Sequence, residues 1–203
     1  MTAEAERLTP LVDAYRSTAG RTMMKPYDFD MVLRMGVAIR EHPEAMGLIE
    51  GAAVEVSLEA VLNVDTAMGK VAVPIRGRLD IAGAGYVSDV KTADDLTPDV
   101  FDRAVLKYEY HRQLAFYDAL RCLSGDLTVI DPDERATLIV CETPEGPLAP
   151  VRVSVVAISS EYLAIGMKKN MEGLASLAGT FLTDSWSPQI RGVRKLGPPR
   201  WLY

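Results

Sequence analysis

The first part of the chain has the hydrophobic pattern of helices. Over residues 8–49 apolar residues recur at helical spacing, which predicts two or three helices. Lys25 and Pro26 mark a break, and Asp28 follows them as the predicted N-cap of the next helix. The chain is therefore expected to begin with helices.

From residue 53 the pattern changes to the alternation typical of strands. The segments VEVSLEAVL, KVAVPIRGRLDIAG and GYVSDVKT alternate apolar and polar residues, and the turn signals at 65–69 and 83–85 separate them. Together they predict a three-stranded antiparallel meander.

The second half combines helices and strands. With Pro98 at its first position, one long helix is predicted over about 99–123. The segments ATLIVCET and LAPVRVSVVAIS are typical of two further strands around a Pro/Gly loop. Ser159 or Ser160 can cap a last helix that runs to about residue 182.

These elements predict one domain and a tail. We expect a single domain over 1–183, with N-terminal helices over 1–50 and an α/β core over 53–183; 203 residues with 48% hydrophobic content suffice for one core. The tail over 184–203 has no packing periodicity. It could contact DNA by charge and stacking, or dock onto a subunit or recombination partner, through Arg191, Arg194, Lys195 and Arg200 and the interleaved Trp186, Trp201 and Tyr203.

Composition narrows the class of protein. A net charge of −6 argues against non-specific coating of nucleic acid, so any DNA contact is expected to be local. With no apolar run of membrane-spanning length and no signal-like N-terminus, a cytoplasmic protein without a membrane partner is expected. Cys122 and Cys141 cannot supply a four-thiolate metal site and are expected to be buried, reduced thiols.

Two aspartates and a lysine carry the chemistry of the meander. If the second and third strands turn around Ala84 and Gly85, Asp80 lies directly opposite Asp89, with Cβ atoms about 4.5–5.5 Å apart. Two such carboxylates repel unless a cation lies between them, and oxygen ligands favour Mg²⁺ or Mn²⁺ over zinc. Strand alternation places Lys91 on the same face as Asp89.

This arrangement suits phosphodiester hydrolysis, but a D-x-K sequence by itself is more often part of a solvated sheet face. A metal lowers the pKa of a bound water, and an adjacent ammonium can orient that water and stabilise the phosphate charge. Asp89 lies in an otherwise apolar run, where a charge needs a reason. The sequence therefore favours a role in phosphodiester hydrolysis over a solvated sheet face.

The segment GRLDIAGAGYVSDVKTADDLTPDVFDRAVLKYEYHRQLAFY resembles RecE-type (exonuclease VIII-like) phage exonucleases of the RecB-like PD-(D/E)XK nuclease superfamily. In that group a G-R-x-D strand precedes a D-x-K-T strand, and a helix with a Y-x-x-Q-x-x-x-Y pattern follows. The resemblance extends over roughly residues 20–182.

The resemblance implies a fold and an activity. The fold is α/β, a restriction-endonuclease-like core with a central mixed β-sheet flanked by helices. The activity is Mg²⁺-dependent hydrolysis of linear duplex DNA from its free ends, 5′ to 3′, in phage-type recombination within a bacterial host. The implied partners are DNA, further copies in a ring-like homo-oligomer, and a single-strand annealing recombinase.

The resemblance also assigns roles to individual residues. Asp80 and Asp89 match the metal ligands, with the carbonyl of Val90 completing the inner shell, and Lys91 matches the catalytic lysine. Glu55 matches an acidic residue near the metal; an exposed edge-strand glutamate is the alternative.

Further residues match the lining of the site. Gln113 and Tyr117 are four apart on the predicted helix and share a face, where they match the catalytic Q-x-x-x-Y motif. Without the resemblance they would be a surface glutamine and a packed tyrosine. Arg76, Arg78 and Lys107 are candidate phosphate contacts, and solvated surface positions are the alternative for each.

The sequence departs from the family at its histidines. The family has an upstream Gly-x-x-x-His segment associated with the metal, and we find no counterpart for it, which is expected to affect metal affinity and processivity. His42 precedes a proline and is expected at a loop or helix end, while His111 could face DNA or pack. A non-catalytic DNA-end-binding or recombination-accessory protein, a structure-specific endonuclease and a structural protein are the alternatives.

Overall fold

A five-stranded sheet lies at the centre of the computed structural model, which describes residues 25–126, 128–146 and 149–186. The elements, in chain order, are α1 (Pro26–Glu41), α2 (Pro43–Ile49), β1 (Ala53–Thr66), β2 (Gly69–Ala82), β3 (Val87–Ala93), α3 (Pro98–Lys107), α4 (Tyr110–Leu123), a 3₁₀ turn (Pro132–Glu134), β4 (Ala136–Glu142), β5 (Val153–Ala157) and α5 (Ser160–Thr183).

The sheet is mixed, with strand order β1-β2-β3-β4-β5. β1, β2 and β3 form the predicted antiparallel meander, β4 runs parallel to β3, and β5 is antiparallel to β4. A parallel neighbour requires a crossover connection, and α3 and α4 supply it between β3 and β4. Six of the seven residues of β4 are buried, as expected for a strand covered on both faces.

Helices cover both faces of the sheet. On one face Leu138 and Val140 pack with Leu114 of α4 and Leu163 of α5. On the other face Ile139 packs with Ile81 and with Ala45 of α2. Adjacent residues of β4 thus serve opposite hydrophobic clusters, which makes this strand the centre of the core.

Some predicted boundaries are confirmed and one is wrong. The Ser159 hydroxyl accepts a hydrogen bond from the Tyr162 amide (3.3 Å) and caps α5, as predicted. The predicted N-cap at Asp28 is wrong: Lys25 is the N-cap and Pro26 opens α1, because proline has no N–H to leave unpaired there. Asp28 lies in the first turn, where a negative charge favours the helix dipole.

The single helix predicted over 99–123 is also wrong. α3 ends at Lys107 and α4 begins at Tyr110, with Glu109 between them in the left-handed conformation (φ 56°). Glycine or asparagine usually marks such a position, and the sequence has neither here. The change of direction at Tyr108 and Glu109 therefore had no local signal.

The two cysteines and His42 have environments that the sequence predicted in part. Cys141 is buried and Cys122 is half-buried, and both are free thiols. Nδ1 of His42 accepts a hydrogen bond from the Ala45 amide (3.4 Å), which confirms its place at a helix end. Within the described ranges, none of the helices combines the length and apolar content needed to cross a membrane.

Two glycines of α5 provide a test of the packing between α4 and α5. A Cβ on Gly166 would lie 2.6 Å from the carbonyl oxygen of His111, whereas a Cβ on Gly173 would meet nothing within 4 Å. We expect Gly166→Ala to lower the free energy of unfolding by about 1–3 kcal/mol through overpacking. Gly173→Ala should raise it by up to about 1 kcal/mol through helix propensity.

Urea denaturation of both variants measures the difference. Gly173→Ala is the matched control, since it makes the same change in the same helix. Equal stability of the two variants would show that α4 and α5 do not pack closely at Gly166.

Candidate active site

The turn between β2 and β3 has the predicted register. Ile81 pairs with Ser88 and Ala82 pairs with Val87, and in this register the next position brings Asp80 opposite Asp89. The ladder ends before that position. Instead, the Asp80 carboxylate (Oδ2) accepts a hydrogen bond from the backbone N–H of Val90 at 3.0 Å, so a side chain replaces the missing ladder bond and holds Asp80 against β3.

Asp89 is the buried centre of the site, with 1% of its surface exposed. Its Oδ1 accepts a hydrogen bond from the Gln113 amide (Nε2, 3.0 Å), and its Oδ2 forms an ion pair with the Lys91 ammonium. Apart from the Lys91 ammonium, Oδ2 has no hydrogen-bond partner. The buried carboxylate thus depends on one lysine and one amide for compensation.

The surroundings act on the Asp89 carboxyl in opposite directions. Burial raises the pKa of Asp89 above its ordinary value, Lys91 lowers it through its hydrogen-bonding contact and its charge, and the nearby Asp80 raises it. A carboxyl group with both desolvation and specific charged neighbours is typical of a functional site.

Helix α4 fixes the groups around Asp89. Gln113 and Tyr117 lie one turn apart, and the Gln113 amide also contacts the Tyr117 hydroxyl at 3.1 Å. Near the start of α4, Tyr110 lies under the Lys91 ammonium, 5.2 Å from nitrogen to ring centroid, a cation–π distance. The structure therefore brings Lys91, Gln113 and Tyr117 together around Asp89.

Sequence reasoning left two residues of this neighbourhood without a role. Tyr110, the first tyrosine of the Y-x-x-Q-x-x-x-Y pattern, supports the lysine. Gly77 of β2 lies beneath α4, where a Cβ would approach Leu120 to 2.7 Å and Tyr117 to 3.2 Å. A glycine inside a strand is a recognised sign of close approach, so the signal for Gly77 was present.

Glu55 lies opposite Asp80 across the β1–β2 pairing, at a position where the two strands form no bridge. Its backbone has a positive φ (55°), and its carboxylate pairs with the Arg78 guanidinium at 2.5 Å. Glu55, Asp80 and Val90 all line a shallow cavity of about 280 Å³. Glu55 is therefore near the site, but its charge is directed to Arg78.

The acidic residues do not form a three-membered cluster. Among the described residues, no three His, Cys, Asp or Glu side chains gather as a metal-binding group. This leaves the two carboxylates of Asp80 and Asp89 with the Val90 carbonyl, the set that the resemblance implied.

The candidate DNA contacts lie at different distances from the centre. Arg76 and Arg78 are exposed on β2, and Lys107 lies at the end of α3 with its ammonium 4.9 Å from the Tyr108 ring centroid. Arg191, Arg194 and Lys195 of the tail fall outside the described residues.

His111 is a packing residue rather than a DNA-facing one. It is 1% exposed between α4 and α5, and its ring stacks on Tyr162 with centroids 4.4 Å apart. Neither ring nitrogen has a hydrogen-bond partner. Burial lowers the pKa of His111 and the charge of Lys169 lowers it further, while the nearby Val105 carbonyl and the charge of Glu109 act in the opposite direction.

Comparison with known proteins supports the fold. No family model matches the sequence, and neither does any curated protein. The crystal structure of a candidate exonuclease from Eubacterium rectale is similar, with a TM-score of 0.60 and 14% identity over 98% of this chain and 77% of that chain. A structure of SSO0001 has a TM-score of only 0.37, with 16% identity over 78% of this chain and 60% of that one, and carries no argument.

The predicted fold class is therefore confirmed. The five-stranded mixed sheet with flanking helices agrees with a PD-(D/E)XK-like core, and the Eubacterium rectale protein shares this fold. At 14% identity the likeness concerns the fold alone.

Burial of His111 predicts a pH dependence of stability. Because its pKa is lowered in the folded protein, the unfolded chain binds a proton below about pH 6.5 that the folded chain does not. Stability should therefore fall as the pH drops below about 6.5, by up to about 1.4 kcal/mol per pH unit. The charged groups near the ring are Glu109, which precedes α4, Arg112 of α4 and Lys169 of α5.

Urea denaturation at about pH 7.5 and about pH 5.5, on either side of the ordinary histidine pKa, measures this slope. His111→Phe keeps a ring against Tyr162 and removes the titration, so it should flatten the slope. His42→Gln replaces the chain's other histidine and should leave the slope unchanged. An unaltered slope in His111→Phe would contradict the assignment.

Proposed function

We propose that this protein is a metal-dependent deoxyribonuclease that hydrolyses linear duplex DNA from its ends. The observation that carries the proposal is the Asp89 carboxylate, which is buried between Lys91 and Gln113 and close to a second carboxylate, that of Asp80. Two neighbouring carboxylates repel each other unless a cation lies between them.

The residues present fit a hard divalent cation. The Asp89 carboxylate, the Asp80 carboxylate and the Val90 carbonyl are oxygen donors at adjacent positions of β2 and β3. Oxygen ligands favour Mg²⁺, or Mn²⁺ in its place, and these three residues would hold it. When bound, the cation would polarise the DNA phosphate and lower the pKa of the attacking water.

The remaining roles in the proposed reaction belong to the protein's own side chains. Lys91, held between Asp89 and the Tyr110 ring, orients the water and stabilises the charge that develops on the phosphate. Gln113 fixes the orientation of the Asp89 carboxylate, and the Tyr117 hydroxyl contacts the same amide. Arg76 and Arg78, exposed on β2, contact the DNA backbone.

The finer features of the proposal rest on the resemblance to RecE-type exonucleases. They are 5′ to 3′ direction, a ring-like homo-oligomer around the duplex, a single-strand annealing recombinase as partner, and a role in phage-type recombination in the host cytoplasm. The similar fold of the candidate exonuclease from Eubacterium rectale supports a nuclease without specifying these features.

One observation favours a second candidate, a DNA-end-binding protein without catalysis. Glu55 pairs with Arg78 and does not join Asp80 and Asp89. With two carboxylates instead of three, a cation would be held more weakly, and such a protein would bind DNA ends without turnover.

Release of acid-soluble nucleotides from linear duplex DNA with Mg²⁺ or Mn²⁺ tests the hydrolytic proposal. We expect Lys91→Ala to lower the rate by about 10²–10⁴-fold, the contribution of a positioned acid–base group. Asp89→Asn should lower it at least as much, because it removes the buried charge. Lys70→Ala, in an exposed ion pair with Asp65 at the far turn of the β1–β2 hairpin, is the control and should retain activity.

Substrates labelled at the 5′ or the 3′ end give the direction of attack, and covalently closed DNA distinguishes an exonuclease from an endonuclease. If the unaltered protein binds DNA ends but releases no nucleotide, the second candidate is the better description. If Lys91→Ala retains full activity, the proposed role of the lysine is wrong.

Metal binding has a readout that does not depend on activity. A cation at about ten times its Kd should raise the Tm by roughly 3–6 °C for a chain of this size. We expect Asp80→Asn and Asp89→Asn to abolish the shift, and Asp65→Asn to keep it. Lys91→Ala should keep the shift while losing hydrolysis, because it removes a positive charge that competes with the cation at Asp89.

Thermal denaturation with and without Mn²⁺ measures these shifts for each variant against its own metal-free Tm. A shift of the same size in Asp89→Asn as in the unaltered protein would show that the cation binds elsewhere.

A further inference from the structure

A second cavity lies beside the catalytic lysine, between the end of β3 and helix α3. We call it the tyrosine cavity; its volume is about 400 Å³. It lies on the Tyr110 side of Lys91 and is distinct from the cavity at Glu55 and Asp80. Its lining combines cations, aromatic rings and carboxylates: Arg103, Lys107, Tyr108, Tyr110, Asp94 and Asp95.

The two tyrosines form an aromatic platform. Their ring centroids are 5.7 Å apart at an interplanar angle of 23°, and Tyr108 is 57% exposed. Tyr110 continues the platform to the Lys91 ammonium, 5.2 Å from its ring. The Lys107 ammonium lies 4.9 Å from the Tyr108 ring centroid, so a base that stacks on this ring takes the place of the lysine, which is then available for a phosphate. Stacking on aromatic rings is how proteins hold unpaired bases.

A strained stretch of backbone presents Tyr108 to the cavity. Glu109 has a positive φ of 56°, which costs a non-glycine residue free energy. Its carboxylate is held by Arg112 (2.5 Å) and Lys169 (3.9 Å). These contacts lie at the break between α3 and α4, next to the aromatic platform.

The charges of the cavity favour an anion on one wall. Arg103 and Lys107 are one turn apart on α3 and share an exposed face. On the opposite wall the Asp95 carboxylate accepts a hydrogen bond from the Thr97 amide at 2.7 Å. The Asp94 carboxylate would repel an anion. We therefore expect a phosphate to lie on the α3 side of the cavity.

We propose that the tyrosine cavity binds the nucleotide adjacent to the reacting phosphate, with its base stacked on Tyr108 and its phosphate contacted by Arg103 and Lys107. The inference rests on the proposed function, because Lys91 links the tyrosine cavity to the carboxylate site. It adds a sequence-tolerant subsite that accepts a base only after the base has left the duplex.

Fluorescence anisotropy tests the base contact without hydrolysis. The probes are a fluorescein-labelled oligothymidylate and an abasic strand of the same length, bound in the presence of EDTA. Tyr108→Ala should weaken binding of the oligothymidylate by about 5- to 100-fold, the effect of losing one stacked base, while Tyr108→Phe should stay within about twofold. On the abasic strand both variants should bind like the unaltered protein.

The phosphate contact has its own variants. Lys107→Ala and Arg103→Ala should weaken both probes and reduce the salt dependence of binding, whereas Asp94→Asn should tighten both. Tyr27→Ala, which removes an exposed tyrosine of α1, is the control and should change neither.

The outcomes separate this inference from the proposed nuclease. If the oligothymidylate does not bind, or Tyr108→Ala weakens both probes equally, the subsite is wrong whatever the hydrolysis assay shows. If binding depends on Tyr108 as expected but no variant or metal gives hydrolysis, the nucleotide site stands and the nuclease proposal fails.

Discussion

A carboxylate buried in the middle of the sheet determines which side chains and which helix must lie beside it. Asp89 is 1% exposed, and an ionised carboxyl group at that depth costs several kcal/mol unless partners compensate for its lost hydration. Lys91 supplies the opposite charge and Gln113 supplies a hydrogen bond. Gln113 reaches Asp89 from α4, so α4 has to lie close to the sheet, and Gly77 of the neighbouring strand β2 provides space for Tyr117 and Leu120 of that helix.

The arrangement of the strands follows from the need to shield the Asp89 carboxylate from water. β3 can bury Asp89 only if neighbouring strands and helices shield it, and its parallel neighbour β4 is buried along almost its whole length. The parallel pair requires a crossover, and the crossover consists of α3 and α4. The crossover from β3 to β4 thus also contains Gln113, Tyr117 and the aromatic platform. The same connection is needed for the fold and for the site.

The sequence predicted those features that depend on residues close together in the chain, and missed those that depend on distant residues. Alternation and a glycine-rich turn fixed the β2–β3 register and therefore placed Asp80, Asp89 and Lys91 at one end of the hairpin. The break at Glu109 could not be foreseen, because neither glycine nor asparagine marks its left-handed backbone, and one of its ion-pair partners, Lys169, is distant in the sequence. The pairing of Glu55 with Arg78 was equally hidden, since strand alternation gives the side of a residue and not its partner.

The ion pair at Asp89 is better explained by chemistry than by stability. Apolar residues of similar volume often replace a buried ion pair without loss of stability, or with a gain, so burial alone gives no reason for Asp89 and Lys91. The lysine is 20% exposed and the aspartate is almost fully enclosed, so the pair has one side open to a substrate. A structural pair would also avoid a second negative charge, whereas Asp89 lies near the Asp80 carboxylate. That combination is unfavourable in a scaffold and useful in a site that receives a cation and a phosphate.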